Sequence, residues 1–471
     1  MVGCRLLGAA VRRYGSGAVA TGEQARGNGP DVDRDAGSLT GRAGWARAIY
    51  GGRAGAAGSL RAATGRRADT GRMANTDITA AKLRAWWAHR QWLDGGHAGA
   101  SPAEVLAATG WARSVGGAAP YLGLFARAGL GRAAVDEAVA VLEVHELPSA
   151  RGCTYVLPAE DFALGLAAGE GAPEAEVAAA MKHLGVTRDE IEKLCLAVTQ
   201  VLAPDPPLER PLDPPAIREA VGNAVRLLGE AGKKRGVSTT LPLALGLLQA
   251  RGRIRRVPVN GRLDQQRYGY VGWDQTVRGS AAELAERYFA WAAPASVKHF
   301  RWFSGFTAAT AKAALAPLDL VELPGTDLLM PAGEVAAFTA FTVPEEPAYA
   351  LLAGIDGLHL LHRDLSRLID PADAERPFPA ARAGRTFGSE TDPQSHIVVD
   401  RGRIIGFWEY DTEQGEIVHQ LFVPADAALR ETIARTEAFV RDDLGDARGF
   451  SLDSPKSRAP KIAAIREAAG G

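Results

Sequence analysis

Residues 238–271 read STTLPLALGLLQARGRIRRVPVNGRLDQQRYGYV, and the fold turns on how this stretch is parsed. Ser238, Thr239 and Thr240 have the short hydroxyl side chains that accept hydrogen bonds from the free N–H groups of a helix start. Leu241, Leu245 and Leu248 then recur at helical spacing until Gly252. Arg253 to Val259 reads as a strand, Asn260-Gly261 as a tight hairpin turn, and Gln265 to Val271 as the return strand. Upstream, Pro215 to Leu228 reads as a helix and Lys233-Lys234-Arg235-Gly236 as a turn. Two helices followed by a two-stranded ribbon make the winged form of the helix-turn-helix, so an α+β fold is expected.

Working outward, the same pattern recurs twice. In the first copy Ser101 is placed to cap a helix whose first residue is Pro102, a ring already fixed at a helical φ. Helices are expected from Pro120 to Ala128 and from Ala133 to about Glu146, then a strand over Thr154–Leu157. The third copy has helices in AELAERYFAWA, SVKHFRWFSGF and TAATAKAALAPL and a ribbon in LVELPGTDLLMP. Residues 168–207 read as a helical linker ending in a stiff, proline-rich spacer, PDPPLERPLDPP. After residue 345 the pattern turns to β, with a hairpin over His396–Tyr410 and a strand over Ile417–Val423. A helix capped by Asp426 closes it. The expected organisation is a leader at 1–72, winged-helix units at 73–167, 208–275 and 276–345, the linker between the first two, and a β module at 346–471.

The chain has 471 residues, 46% hydrophobic and 23% charged, enough apolar surface for several ordinary cores. Residues 1–72 stand apart: twelve arginines face five acids, and no lysine occurs before Lys82. That composition predicts a disordered leader. An upstream start codon ahead of Met73 explains it better than a transit peptide, because Asp31, Asp33 and Asp35 are out of place in one. Three cysteines, Cys4, Cys153 and Cys195, make neither a disulfide framework nor a zinc site. No apolar run approaches the ~20 residues that span a bilayer, and a cytoplasmic setting is the default expectation.

Net charge is −1, yet between Arg226 and Tyr268 ten basic residues face only Glu230 and Asp264. Lys233, Lys234, Arg235, Arg253, Arg255, Arg256, Arg262 and Arg267 fall in the turn before a helix and on the ribbon arms, where winged helices meet a phosphate backbone. With Thr239 at the helix start, they form the candidate DNA-binding set, and double-stranded DNA is the expected partner. The alternative is a solvated basic face. His359 and His362 stand three apart without a third ligand, and Glu160-Asp161 and Asp136-Glu137 are adjacent carboxylates whose side chains point apart. These read as structural or surface groups, so neither metal nor cofactor is expected. No nucleotide-binding or serine-hydrolase motif is present.

Six segments in order resemble the winged-helix DNA glycosylases of the AlkZ/YcaQ-like family. They are PYLGLFAR (120–127), RGCTYVLPAED (151–161), the stretch from Gly229 through the ribbon, WFSG (302–305), LLAGID (351–356) and VDRGRIIGFW (399–408). The resemblance implies tandem winged helices around DNA, a small C-terminal β-barrel-like module, and excision of alkylated bases or unhooking of crosslinks. A non-catalytic DNA-binding regulator or damage-recognition protein is the alternative. The resemblance also implies a Gln-x-Gln or Gln-x-Asp motif about a dozen residues before Tyr121, where this chain has Thr109-Gly110-Trp111. No glutamine lies between Gln91 and Gln200. Breaking an N-glycosidic bond builds positive charge on the sugar and needs a water held by an electron-rich oxygen. Thr109 offers a hydroxyl with little charge, and Trp111 has only an N–H donor, so the catalytic residues are undefined.

Overall fold

In the computed structural model, residues 78–203, 210–265, 267–379 and 385–470 are described. The arginine-rich leader at 1–72 and part of the proline-rich spacer lie outside them. The first helix, α1 (Ala80–Arg90), begins where Thr79 Oγ1 accepts from Lys82 N. Next come α2 (Pro102–Thr109), the two-residue strand β1 (Ala112–Arg113), α3 (Ala119–Ala128), α4 (Arg132–Ala140) and a hairpin of β2 (Val144–Ser149) and β3 (Cys153–Pro158). Ser101 caps α2 as its sequence predicts, and Glu104 reaches back to the Ser101 amide, satisfying two orphan N–H groups at once. The sheet order is β1-β3-β2. Helix α4 ends six residues before the expected Glu146. Leu142 adopts a left-handed φ of 61°, and Val144 to Ser149 pair with β3 instead.

Helix α5 (Phe162–Gly169) precedes the stretch read as a helical linker, and α6 (Gly171–Leu184) and α7 (Arg188–Leu202) lie in it. These last two pack on the middle repeat. Val177, Ile191, Val198 and Leu202 share one core with Leu241, Leu245 and Ile254. The elements that follow are α8 (Pro214–Val221), α9 (Gly229–Lys234), α10 (Leu241–Ala250), β4 (Ile254–Pro258) and β5 (Tyr268–Gly272). Asn260-Gly261 makes a turn, Gly261 N donating to the Pro258 carbonyl at 3.1 Å, but it does not close a tight hairpin. The ladder ends at Pro258–Tyr268, so Val259 to Arg267 connects the strands and the return strand begins at Tyr268 rather than Gln265. The helix expected over Pro215–Leu228 ends at Val221, and two further local readings change. Lys233 and Lys234 sit in the last turn of α9, and the Thr240 hydroxyl accepts from the Arg226 amide at 3.0 Å instead of capping α10.

A third run repeats the first: α11 (Ala281–Ala292), β6 (Ala295–Ser296), α12 (Val297–Ser304), α13 (Ala308–Leu315), β7 (Leu320–Glu322) and β8 (Leu328–Pro331). Its sheet order, β6-β8-β7, matches β1-β3-β2 position for position. After α14 (Val335–Ala340) come β9 (Tyr349–Leu352), the single turns α15 (Gly357–Leu360) and α16 (Leu365–Leu368), then β10 (His396–Asp400), β11 (Arg403–Asp411) and β12 (Glu416–Leu421). These four strands form an antiparallel sheet of order β12-β11-β10-β9. It is open, so the barrel-like closure expected at the C-terminus is not found among the described residues. Helix α17 (Ala427–Phe439), capped by Asp426 as expected, and α18 (Pro455–Gly470) complete the chain.

The C-terminal sheet explains why the rest is one body. Side chains alternate between faces along a strand, and a bulge at Ile405, where the pairing of β11 with β10 shifts by one residue, resets that alternation. Ile404 and Phe407 enter a core shared with Trp87, Trp111, Tyr155, Trp291 and Phe300. Ile405, Trp408 and Tyr410 enter a second core with Leu122, Val135, Val156 and Leu429. The first and third repeats are therefore joined through a sheet buried on both faces, whereas the middle repeat has a core of its own.

Candidate nucleic-acid interface

The motif position comes first. Thr109 ends α2, 4% exposed, and its hydroxyl donates to the Val105 carbonyl at 2.8 Å. Its own carbonyl accepts from Gln91 Nε2 at 2.6 Å. Trp111 is equally buried. Its ring packs edge-on to Trp291 with centroids 5.3 Å apart, and its Nε1–H donates to Asp161 Oδ2 at 2.8 Å. Asp161 also meets Arg287 at 2.9 Å. Burial raises the Asp161 pKa, although the Trp111 hydrogen bond and Arg287 oppose the rise. Asp161, read as a structural or surface group, is thus an internal clamp on the Trp111 indole. In β1 itself, half-buried Arg113 is a cation, donating to the Thr154 carbonyl at 2.7 Å and lying 5.4 Å from the Tyr155 ring centre.

Two of the resemblance segments meet in the interior. Arg127 of α3 grips Asp356 with two bonds of 2.8 Å, both side chains about 5% exposed or less. Arg127 also donates to Gln91 Oε1 at 3.0 Å. Gln91, the glutamine nearest the motif position, is itself 1% exposed and committed to this network. Sequence reasoning missed it because its partners Thr109, Arg127 and Trp291 lie 18, 36 and 200 residues away, with no local periodicity to mark them.

The structure divides the basic residues of 226–268. Arg256 is internal. It pairs with Glu146 of β2 at 3.0 Å, side chains 11% and 3% exposed, and its guanidinium lies 4.5 Å from the Tyr268 ring centre. Burial works against its charge, but Glu146, with Tyr268 and Tyr270, outweighs it and holds the pKa above the usual arginine value. Arg262 clasps Asp264 at 2.5 Å and donates to the Leu444 carbonyl at 2.8 Å. Thr239 is buried and bridges Leu227. Lys233 and Arg253 are exposed but paired, with Glu230 at 2.9 Å and Asp274 at 2.6 Å. Arg235 is half-buried and engaged. Lys234, Arg255 and Arg267 have side chains that reach the surface without an ion pair among the described residues. Lys182, Lys298 and Arg301, in segments the sequence reading did not mark as basic, share that state.

Hairpin tips follow the same division. Beyond the middle hairpin, Leu263 is fully buried in the second core, its N–H donating to the Tyr121 hydroxyl at 2.9 Å. The first hairpin turns at Arg151, which lies against α12. The third turn, around Gly325, has open space beside it, and Asp327 there is paired with Arg367.

Each repeat also has a helix ahead of its hairpin where a helix-turn-helix would read base edges. Helix α10 is buried along nearly its whole length. The exposed positions of α4 are Ala133, Ala134, Glu137 and Ala140, and those of α13 are Ala308, Ala309, Thr310, Lys312 and Ala313.

The two histidines set three apart lie in the interior. His359 and His362 are at most 1% exposed, and burial lowers their pKa values to about 4 and about 3. No cluster of three metal-binding side chains occurs among the described residues, and no helix there is long and apolar enough to cross a membrane.

Comparison with known proteins accords with this architecture. The Streptomyces sahachiroi DNA glycosylase AlkZ superposes with a TM-score of 0.57 over 78% of this chain and 97% of its own, at 19% identity. A search of curated proteins gave no match. The family model for AlkZ-like DNA glycosylases matches residues 108–439, more than two thirds of the sequence, and the chain belongs to that family.

Proposed function

We propose that this protein binds damaged duplex DNA on a glycosylase scaffold and does not release the base by the carboxamide-held water that the family resemblance implies. The observation that carries the reading is the state of residues 109–113. The Thr109 hydroxyl is buried and donates to Val105, the Trp111 N–H donates to Asp161, and the half-buried polar side chain of that segment is the Arg113 guanidinium. A cation beside a sugar gaining positive charge raises the barrier rather than lowering it.

The first and third repeats support winged-helix units in the helix–strand–helix–helix–hairpin sense, with the middle repeat a third unit thickened by α6 and α7. Affinity in this reading comes from phosphate contacts by the exposed cations Lys182, Lys234, Arg267, Lys298 and Arg301 and the half-buried Arg255, not from Arg256 and Arg262, which are held in ion pairs. A sequence-specific regulator needs bidentate donors and acceptors on the helix that enters the major groove. The alanine-rich faces of α4 and α13 offer only Glu137, Thr310 and Lys312 among their exposed positions, and α10 is buried, which favours damage recognition over regulation. The working place is wherever chromosomal DNA lies.

Titration of a duplex, with and without an alkylated purine, across 50–200 mM salt tests the binding. Six phosphate contacts lose roughly 10³ in affinity over that range. The damaged duplex is expected to bind more tightly and to yield no abasic sites on incubation. Abasic sites above background would overturn the non-excising reading, and a flat salt dependence would overturn DNA binding.

A further inference from the structure

Three distant parts of the chain converge on the Trp302 indole. The guanidinium carbon of Arg151 lies 3.8 Å from the ring centre, and that of Arg363 lies 4.8 Å from it. Arg363 is neutralised by Asp392 through bonds of 2.9 and 2.5 Å. Arg151 has no carboxylate partner among the described residues; its one polar contact is a 3.8 Å approach to Cys153 Sγ. Arg151 Nη1 and Trp302 Nε1 are both shut off from solvent without an acceptor. A buried donor left unpaired costs about 1–3 kcal/mol, so two in one cluster mark a place where an acceptor belongs.

The backbone supports this. Arg151 and Arg363 are two of the five non-glycine residues with positive φ among the described residues, at 58° and 45°. Strain of this kind persists where surrounding structure enforces a geometry. Gly305 makes room for it: a Cβ there would meet Arg151 atoms at 3.1–3.3 Å. Arg301, exposed on the same helix as Trp302, adds positive charge nearby.

We infer that Arg151 and Trp302 form an anion site whose occupant is a phosphodiester oxygen of the bound DNA strand. The Arg151 guanidinium and the indole N–H supply the donors, and Arg363 props the indole. Half-exposed Arg151 is the movable wall: rotation about its terminal torsions opens the donors without disturbing the Arg363–Asp392 pair. This makes Arg151 a positioning contact at the junction of the first hairpin and α12, and it rests on the DNA-binding reading above.

Selective ¹⁵N-tryptophan labelling gives one indole signal per tryptophan, and Trp302→Phe, which keeps the stacking ring and removes the donor, identifies the signal of Trp302. That signal is expected to shift with inorganic phosphate at millimolar concentration and with a short duplex at micromolar concentration. Arg151→Gln should abolish both shifts while leaving the other indole signals in place, which reports an intact fold. The same variant should weaken duplex binding about tenfold, equally for unrelated sequences, and make the log–log salt slope shallower by about 1. If the duplex binds but the Trp302 signal stays fixed and Arg151→Gln binds normally, the site is refuted and the DNA reading stands. If phosphate shifts the signal but no duplex binds, the phosphodiester assignment and the DNA reading both fail, and the pocket is one for free phosphate. No shift with either ligand refutes the site.

Discussion

Replacing Arg127 by methionine removes one half of an ion pair that is almost wholly shielded from water. The side chains of Arg127 and Asp356 are 5% and 4% exposed, so the carboxylate left behind cannot be rehydrated without local opening. Breaking such a pair from one side costs about 3–5 kcal/mol. Gln91 Oε1 loses its donor in the same step, adding about 1 kcal/mol. Asp356→Asn in the same chain removes the stranded charge while leaving an oxygen to cap Leu358 N, a bond of 2.9 Å. The double variant should therefore recover at least half of the loss. Urea unfolding of the four members of the cycle, followed by tryptophan emission, measures both numbers. A single-variant loss below ~1 kcal/mol, as for a surface pair, would refute the argument. So would a double variant no more stable than Arg127→Met.

Other expectations rest on separate features. Burial, with Arg255 and Arg256 adding to it, lowers the His145 pKa from 6.5 to about 3, so the folded state keeps it neutral while the unfolded chain takes a proton. Stability is then lost as pH falls below about 6.5, with a slope of up to ~1.4 kcal/mol per pH unit for one proton. His145→Phe should flatten the stability–pH curve between 6.5 and 4, and an unchanged slope would exclude the role. Burial pushes the Cys195 thiol up to about 11, so peptide mapping after maleimide treatment at pH 7.5 should find Cys195 unmodified until denaturant is added. Leu263→Ala should cost about 2–5 kcal/mol and should speed amide exchange at Leu263 before it affects β4 and β5. Uniform acceleration across the hairpin would mean that the tip is no separate anchor.

Local signals in the sequence translated well into local structure. Ser101 before Pro102 and Asp426 before an apolar period each specify a cap within four residues, and each is found, whereas Asn260-Gly261 makes a local turn but leaves the strands joined through Val259–Arg267. The early end of α4 was not legible, because the left-handed Leu142 is imposed by pairing of Val144–Ser149 with β3 rather than by a helix-breaking residue. The roles of the basic residues were harder still. Arg256 and Arg255 are neighbours on one strand and look alike in sequence. Strand alternation sends one toward Glu146, 110 residues away, and leaves the other at the surface. Charge density announces a polyanion-facing region; which cations remain free depends on acids contributed by other parts of the fold. Trp111 illustrates the same limit, since the carboxylate that fixes it is 50 residues downstream.

The docking of two hairpin tips onto neighbouring elements bears on how the molecule can be handled. A fluorophore or affinity peptide grafted at the first or second turn would prise apart distant segments. The loop at Gly325, where an added side chain would meet open space and the exposed Asp327–Arg367 pair is the nearby tie, should accept such a graft without loss of the native arrangement, and so offers an attachment point for single-molecule observation of strand engagement.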